Sequence, residues 1–157
     1  MRALFVAISL ISFALYSQVK VMTYNIRLDL VSDGENRWDN RKDMMASQIL
    51  FYEPDFMGVQ EALPNQMQFL ADKLTGYNYI GEGRDGNGSG EYSAIFYNKL
   101  KYKLVQQKTF WLSPTPDVPS KGWDAAYNRI CTYGLFENIR TKRGFGFSTH
   151  ILTMLEN

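Results

Sequence analysis

Two apolar runs that end in polar side chains organise this chain: Val21-Met-Thr-Tyr-Asn-Ile-Arg27 and, further on, Met57-Gly-Val-Gln-Glu-Ala62. Each is rich in strand formers. Their pattern predicts two buried strands that deliver Asn25 and Glu61 to one sheet edge. The first belongs to a β-rich stretch from Val19 to Leu28, followed by a polar loop over 29–36. From Arg37 to Tyr52, Trp38, Met44, Met45, Ile49 and Leu50 recur at helical spacing, and Pro54 stops that helix. Phe56 to Gln60 is a strand-length run. Pro64 then opens a second helix with Met67, Leu70, Ala71 and Leu74 on its apolar face, ended by Gly76. Strand, helix, strand, helix favours a layered α/β fold (α+β by some schemes).

The rest of the chain changes character. Strands are predicted over Tyr77 to Ile80, Tyr92 to Tyr97, Tyr102 to Phe110, Arg129 to Glu137 and Gly144 to Thr149. Five glycines in the ten residues from Gly81 to Gly90 predict a flexible rim loop. Ser113 to Tyr127 is a long Pro-containing loop, of the kind that is usually functional in a compact domain.

Residues 1–17 read as a separate unit. Arg2 precedes an apolar run from Ala3 to Leu15, too short for a span of roughly 20 residues and suited to a signal peptide. The expectation is an exported protein, periplasmic or secreted, without stable membrane association, whose single domain covers 19–157. Loss of the leader removes one Arg and no acid from 17 basic and 16 acidic residues, which leaves no net charge. Generic grip on nucleic acid needs a basic face, and nothing here demands one. The lone Cys131, between Ile130 and Thr132, reads as a small buried hydrophobe. Nothing in the sequence points to an oligomer.

Several residues carry candidate chemistry, each with a plainer alternative. The Asn25 amide suits a phosphate oxygen or a metal-bound water; it equally begins a turn. Glu61, at a strand end, suits Mg²⁺, which takes one or two carboxylates with water and phosphate oxygens; it equally stabilises the next helix dipole. Glu91 beside His150, the only His, makes a general acid or phosphate donor; the alternative is a surface Glu and a structural His. Arg129, near Gly122-Trp-Asp124, suits bidentate phosphate contact, or an ion pair with Asp124. One Cys and one His cannot build an all-nitrogen/sulfur zinc site.

Taken in order, these segments resemble the endonuclease/exonuclease/phosphatase superfamily, the pancreatic-deoxyribonuclease-like fold. The matching pieces run from Val21 to His150: the Asn25 and Glu61 strands, Arg37-Trp38 through Arg41, Gly90-Glu-Tyr-Ser-Ala-Ile-Phe-Tyr97, Phe110-Trp-Leu-Ser-Pro114, Gly122-Trp-Asp124 with Arg129, and Ser148-Thr-His150. The Phe-Trp-Leu-Ser and Gly-Trp-Asp pieces look like an exported bacterial branch. The resemblance implies a four-layer α/β sandwich with two mixed sheets, of which this chain holds the N-terminal half. It also implies metal-assisted hydrolysis of a phosphoester by water, as in phosphodiesterases, nucleases and phosphatases. Asn25 then helps bind phosphate or the metal shell, Glu61 is the ligand to Mg²⁺ (or Mn²⁺), and Glu91 supports His150, which matches the first of two family histidines; the substrate-binding candidates are Arg129 and Asn25.

The family continues with a Gly-Asp-x-Asn strand and a Ser-Asp-His segment, which this chain does not contain. Its tail, Ile151 to Asn157, departs from the branch's Phe-Asp-His-x-Gly, which points to a frameshift. Two expectations follow. The chain is inactive or nearly so as it stands, and most of the second sheet is missing, leaving a large apolar face open. The alternative to an enzyme is a non-catalytic remnant or binding module. An exported carbohydrate-binding β-domain fits the aromatics but not the early strand-helix order. The substrate, nucleic acid or another phosphoester, is not encoded in any readable loop motif.

Overall fold

The computed structural model describes residues 18–150, the last by its backbone; the leader 1–17 and the tail 151–157, with the expectations placed on them, lie outside the described residues. The element order is β1 (Val21–Asn25), a 3-10 turn (Val31–Asn36), α1 (Trp38–Tyr52), β2 (Phe56–Ala62), α2 (Pro64–Lys73), β3 (Tyr77–Ile80), β4 (Tyr92–Asn98), β5 (Tyr102–Trp111), β6 (Ile130–Asn138) and β7 (Gly144–His150). The expected loop over 29–36 thus contains a short helix, broken at Gly34, where φ is 55°.

Two sheets form. The first runs β1-β2-β4-β3, with β1 parallel to β2 and the other pairs antiparallel; the second is an antiparallel β5-β6-β7 sheet. Period-2 alternation divides the side chains of β2 and β4 between two cores. Met57, Val59, Ala62, Ala94 and Phe96 face Trp38, Met45 and Ile49 of α1 and Met67 and Leu70 of α2. Phe56, Ile95 and Tyr97 face Phe136 and the half-buried Phe145 and Phe147 of the second sheet. Phe56, Phe96 and Phe136 are fully buried; each such ring contributes about 2 kcal/mol of apolar transfer. The order is therefore helix layer, sheet, sheet. The fourth layer implied by the resemblance is not among the described residues.

Several expectations change. The second sheet is present as three strands, and it covers the face of β2 and β4 that was expected to stand open. The first strand is not buried: its residues alternate between exposed and half-buried because it is the outermost strand of its sheet. In α1 the buried stripe is Trp38, Met45, Ala46 and Ile49, while Met44 and Leu50 face solvent. Helix α2 ends at Lys73, capped at Leu74, before it reaches Gly76. The glycine loop is not slack. Four backbone hydrogen bonds tie it (Arg84 N to Glu91 O, Asp85 N to Ser89 O, Gly86 N to Gly83 O, Ser89 N to Gly86 O). Cys131 is half-buried rather than buried, and that burial pushes its thiol up from its ordinary value. No helix among the described residues is long and apolar enough to cross a membrane.

Candidate active site

Regular alternation would send the Glu61 side chain to the helix layer, between Gln60 and Ala62. It does not go there. Gln60 pairs with Ser93 and Ala62 with Tyr92, so Glu61 is one residue too many for the ladder, a bulge. Its φ is +64°, a left-handed conformation that costs a residue with a Cβ about 1–2 kcal/mol. Such strain persists where the surroundings fix it, and here it re-aims a carboxylate. Asn25 ends β1 beside Gln60, and its Nδ2 donates to Glu61 Oε1 at 2.7 Å. Asn25 Oδ1 accepts the Arg27 N–H at 2.9 Å, so the amide is held at both ends.

The floor beneath this pair comes from residues that the sequence did not single out. Gln66 is fully buried. Its Oε1 accepts from Leu63 N (2.9 Å) and Asp29 N (3.1 Å), and its Nε2 donates to Arg27 O (2.9 Å). Arg41 Nη2 donates to the same carbonyl at 2.8 Å. The Arg27 side chain then meets Asp33 through Nε and Nη2, both at 2.6 Å. That hydrogen bond holds the Asp33 carboxyl below its usual range and raises the guanidinium. A Gln three residues after the residue preceding α2 is the one signal that pointed here.

The second group of charges stands at the root of the glycine loop. Arg84 Nη2 donates to Glu91 Oε1 at 2.8 Å, with both side chains only 12–13% exposed. Burial pushes the Glu91 carboxyl above its ordinary value, against the pull of Arg84; Glu61 adds to the rise and Arg129 opposes it. Glu91, Glu61, Arg84 and Arg129 thus share one electrostatic neighbourhood. Tyr127, 59% exposed, gathers the two arginines: the Arg84 guanidinium carbon lies 4.7 Å from its ring centre and that of Arg129 5.9 Å. The expected ion pair of Arg129 with Asp124 is not among the described ion pairs. Trp123 is 86% exposed, with φ at +53°.

His150 ends β7, its backbone opposite Cys131; its side chain lies outside the described residues, so the expected Glu91–His150 contact does too. The partner that the structure gives Glu91 is Arg84, which the sequence did not flag.

The donor set bears on the expected metal. Among the described residues no group of three or more His, Cys, Asp or Glu side chains gathers. A single carboxylate beside an amide is a hard oxygen set that suits Mg²⁺, which keeps several waters and takes further oxygens from a phosphate. It does not suit zinc.

No family model matches the chain. Solved structures do. An endonuclease/exonuclease/phosphatase from Bacteroides vulgatus is 42% identical, with a TM-score of 0.82 over 84% of this chain and 51% of its own. A mannosyl-6-phosphatase from Bacteroides thetaiotaomicron is also 42% identical, with a TM-score of 0.81 over 83% of this chain and 50% of its own. An uncharacterised protein of Acanthamoeba polyphaga mimivirus is 32% identical over 102 residues, 60% of this chain and 38% of that one. The chain therefore spans about half the length of the solved relatives it matches. Sequence and fold agree over that half, where this chain has the α/β fold of those endonuclease/exonuclease/phosphatase relatives.

Proposed function

We propose that this chain carries the metal- and phosphate-binding part of a phosphoesterase that works with Mg²⁺ or Mn²⁺ and is exported through its apolar leader. One observation carries the reading: the strained bulge that turns Glu61 out of the helix core and into a 2.7 Å hydrogen bond with Asn25. No packing interest is served by placing a carboxylate there. With Oε1 held by Asn25, Oε2 is left to face a hard cation. Arg129, half-buried on the rim of the same neighbourhood, offers a planar donor pair to phosphate oxygens. His150 is the group proposed to pass a proton to the leaving oxygen, with Glu91 proposed as its support. A bound Mg²⁺ would polarise the phosphoryl oxygens and offset the charge that develops on them.

Among substrates, a sugar phosphate is the first to try. The mannosyl-6-phosphatase is 42% identical over 83% of this chain, and the exposed Tyr127 ring beside two arginines suits the face of a sugar. Hydrolysis of sugar phosphates and of a generic phosphodiester with and without Mg²⁺ tests the proposal. Turnover that needs Mg²⁺ and disappears in Glu61→Ala supports it; turnover indifferent to Glu61 defeats it.

A binding module is the second reading. It is favoured by the single carboxylate at the centre, since no cluster of three metal-binding side chains occurs among the described residues. Metal-dependent phosphate binding without turnover is its signature.

A further inference from the structure

Three strands carry the proposed site: β1 brings Asn25, β2 brings Glu61 and β7 brings His150. They belong to two different sheets, so sheet pairing alone does not fix their mutual spacing. One side chain ties all three. Gln60, 8% exposed, donates through Nε2 to Thr149 Oγ1 at 2.8 Å, across the interface between the sheets. The same Nε2 donates to Thr23 Oγ1 of β1 at 3.2 Å. Both amide protons are thereby used, one toward each neighbouring strand. Gln60 directly precedes Glu61, Thr149 directly precedes His150, and Thr23 lies two residues before Asn25.

The surroundings are shaped around this amide. Residue 58 lies on the same face of β2, and a Cβ there would stand 2.9 Å from Thr149 Oγ1 and 3.2 Å from Gln60 Nε2. Only glycine leaves the hydrogen bond its room. Neighbouring Ser93, the cross-strand partner of Gln60, is fully buried too. An apolar residue at 60 would pack this interface as well as Phe56 and Ile95 pack the rest of it. A polar pair in a buried position is therefore unexplained by stability alone.

We infer that Gln60 is a positioning residue, whose amide, through Thr149 and Thr23, sets the spacing of Glu61, Asn25 and the β7 end that delivers His150. The inference rests on the metal-and-phosphate reading of this site. Partners one step behind a metal ligand typically control affinity by about tenfold or more, because they fix the ligand's orientation.

The test measures Mn²⁺ affinity of the purified protein by electron paramagnetic resonance, with thermal melting as the control for folding. Four variants are compared with the wild type: Gln60→Met, Thr149→Val, Thr149→Ser and Glu61→Gln. Gln60→Met keeps the length and loses both donors. Expected is a loss of about tenfold in Mn²⁺ affinity for Gln60→Met and at least threefold for Thr149→Val. Thr149→Ser, which keeps the acceptor, stays within about twofold of wild type. A purely structural role would lower the melting temperature without moving metal affinity. Folded Gln60→Met and Thr149→Val proteins that bind Mn²⁺ as the wild type does overturn the inference, even where Glu61→Gln abolishes binding. Should Gln60→Met fail to fold, the Thr149 pair decides alone. Mn²⁺ binding that Glu61→Gln leaves unchanged, or that is absent from the wild type, overturns the metal reading and the inference with it.

Discussion

Arg84 and Glu91 form an ion pair at 2.8 Å in which neither side chain is more than 13% exposed. Yet Glu91 is pushed above the usual carboxylate range, because burial outweighs its arginine. The folded protein thus holds this proton more tightly than the unfolded chain. The stability that Glu91 contributes is complete below its unfolded value and is lost as pH rises through its raised folded value. Without Arg84 the carboxyl moves higher still. Arg84→Met should cost about 3 kcal/mol near neutral pH, and much less in acid, where Glu91 is protonated. Melting curves from about pH 4 to about pH 8 check this; a cost that does not depend on pH rules out the pair as its source.

The bulge at Glu61 gives a contrast between two small residues. Glycine accepts φ +64° freely and alanine does not. Glu61→Gly should therefore be more stable than Glu61→Ala by about 1 kcal/mol in urea unfolding. Both should lose metal binding alike. Equal stabilities would mean that the backbone relaxes when the carboxylate goes.

Where the sheets meet, Gly134 leaves no spare volume. A Cβ at this position would lie 2.6 Å from the Phe136 ring and 2.7 Å from Ile80 Cδ1. Gly134→Ala should destabilise by about 1–3 kcal/mol through overpacking, and the companion Ile80→Val should return part of that loss. A neutral Gly134→Ala would show that β6 can slide on the first sheet.

On the rim, Arg84 is engaged by Glu91, whereas Arg129 forms no ion pair among the described residues and is placed to meet an anion. Replacing it with Met should weaken binding of inorganic phosphate about tenfold, as loss of a charge-assisted hydrogen bond does. Isothermal titration reads this directly. Tyr127→Leu, which removes the ring under both guanidinium groups, should weaken phosphate less, and Tyr127→Phe hardly at all.

Strand positions along the chain were legible because β4 and β6 are rich in strand formers and Pro or Gly stands in several of the gaps. What was not legible is three-dimensional in origin. A bulge leaves no mark in a sequence: Gln60-Glu61-Ala62 reads as plain strand until its partner Ser93-Tyr92 is known to be one residue short. The exposure of Val21 follows from which strand sits outermost, a matter of sheet order. Arg84 was hidden among glycines that suggested mobility, although their left-handed turns are what bring it onto Glu91. The strands β5 to β7 were expected, but their pairing into a second sheet that covers β2 and β4 was not, because which strands join one sheet is not written in their alternation. Asn25, Glu61 and Arg129 were named from residue type and order, and their common location needed the fold.

The two members of the central pair sit on strands of very different security. Glu61 belongs to β2, enclosed by strands on both sides and by cores on both faces, while Asn25 ends an outermost strand of five residues. Local opening begins at such margins and reaches the enclosed strands last. The site is thus built to come apart in sequence. Hydrogen exchange at β1 should run ahead of that at β2, so Glu61 would lose its amide companion, and with it the fixed aim of its carboxylate, long before the strand that holds it gives way. Whatever clasps the open side of β1 would tighten the site without touching it.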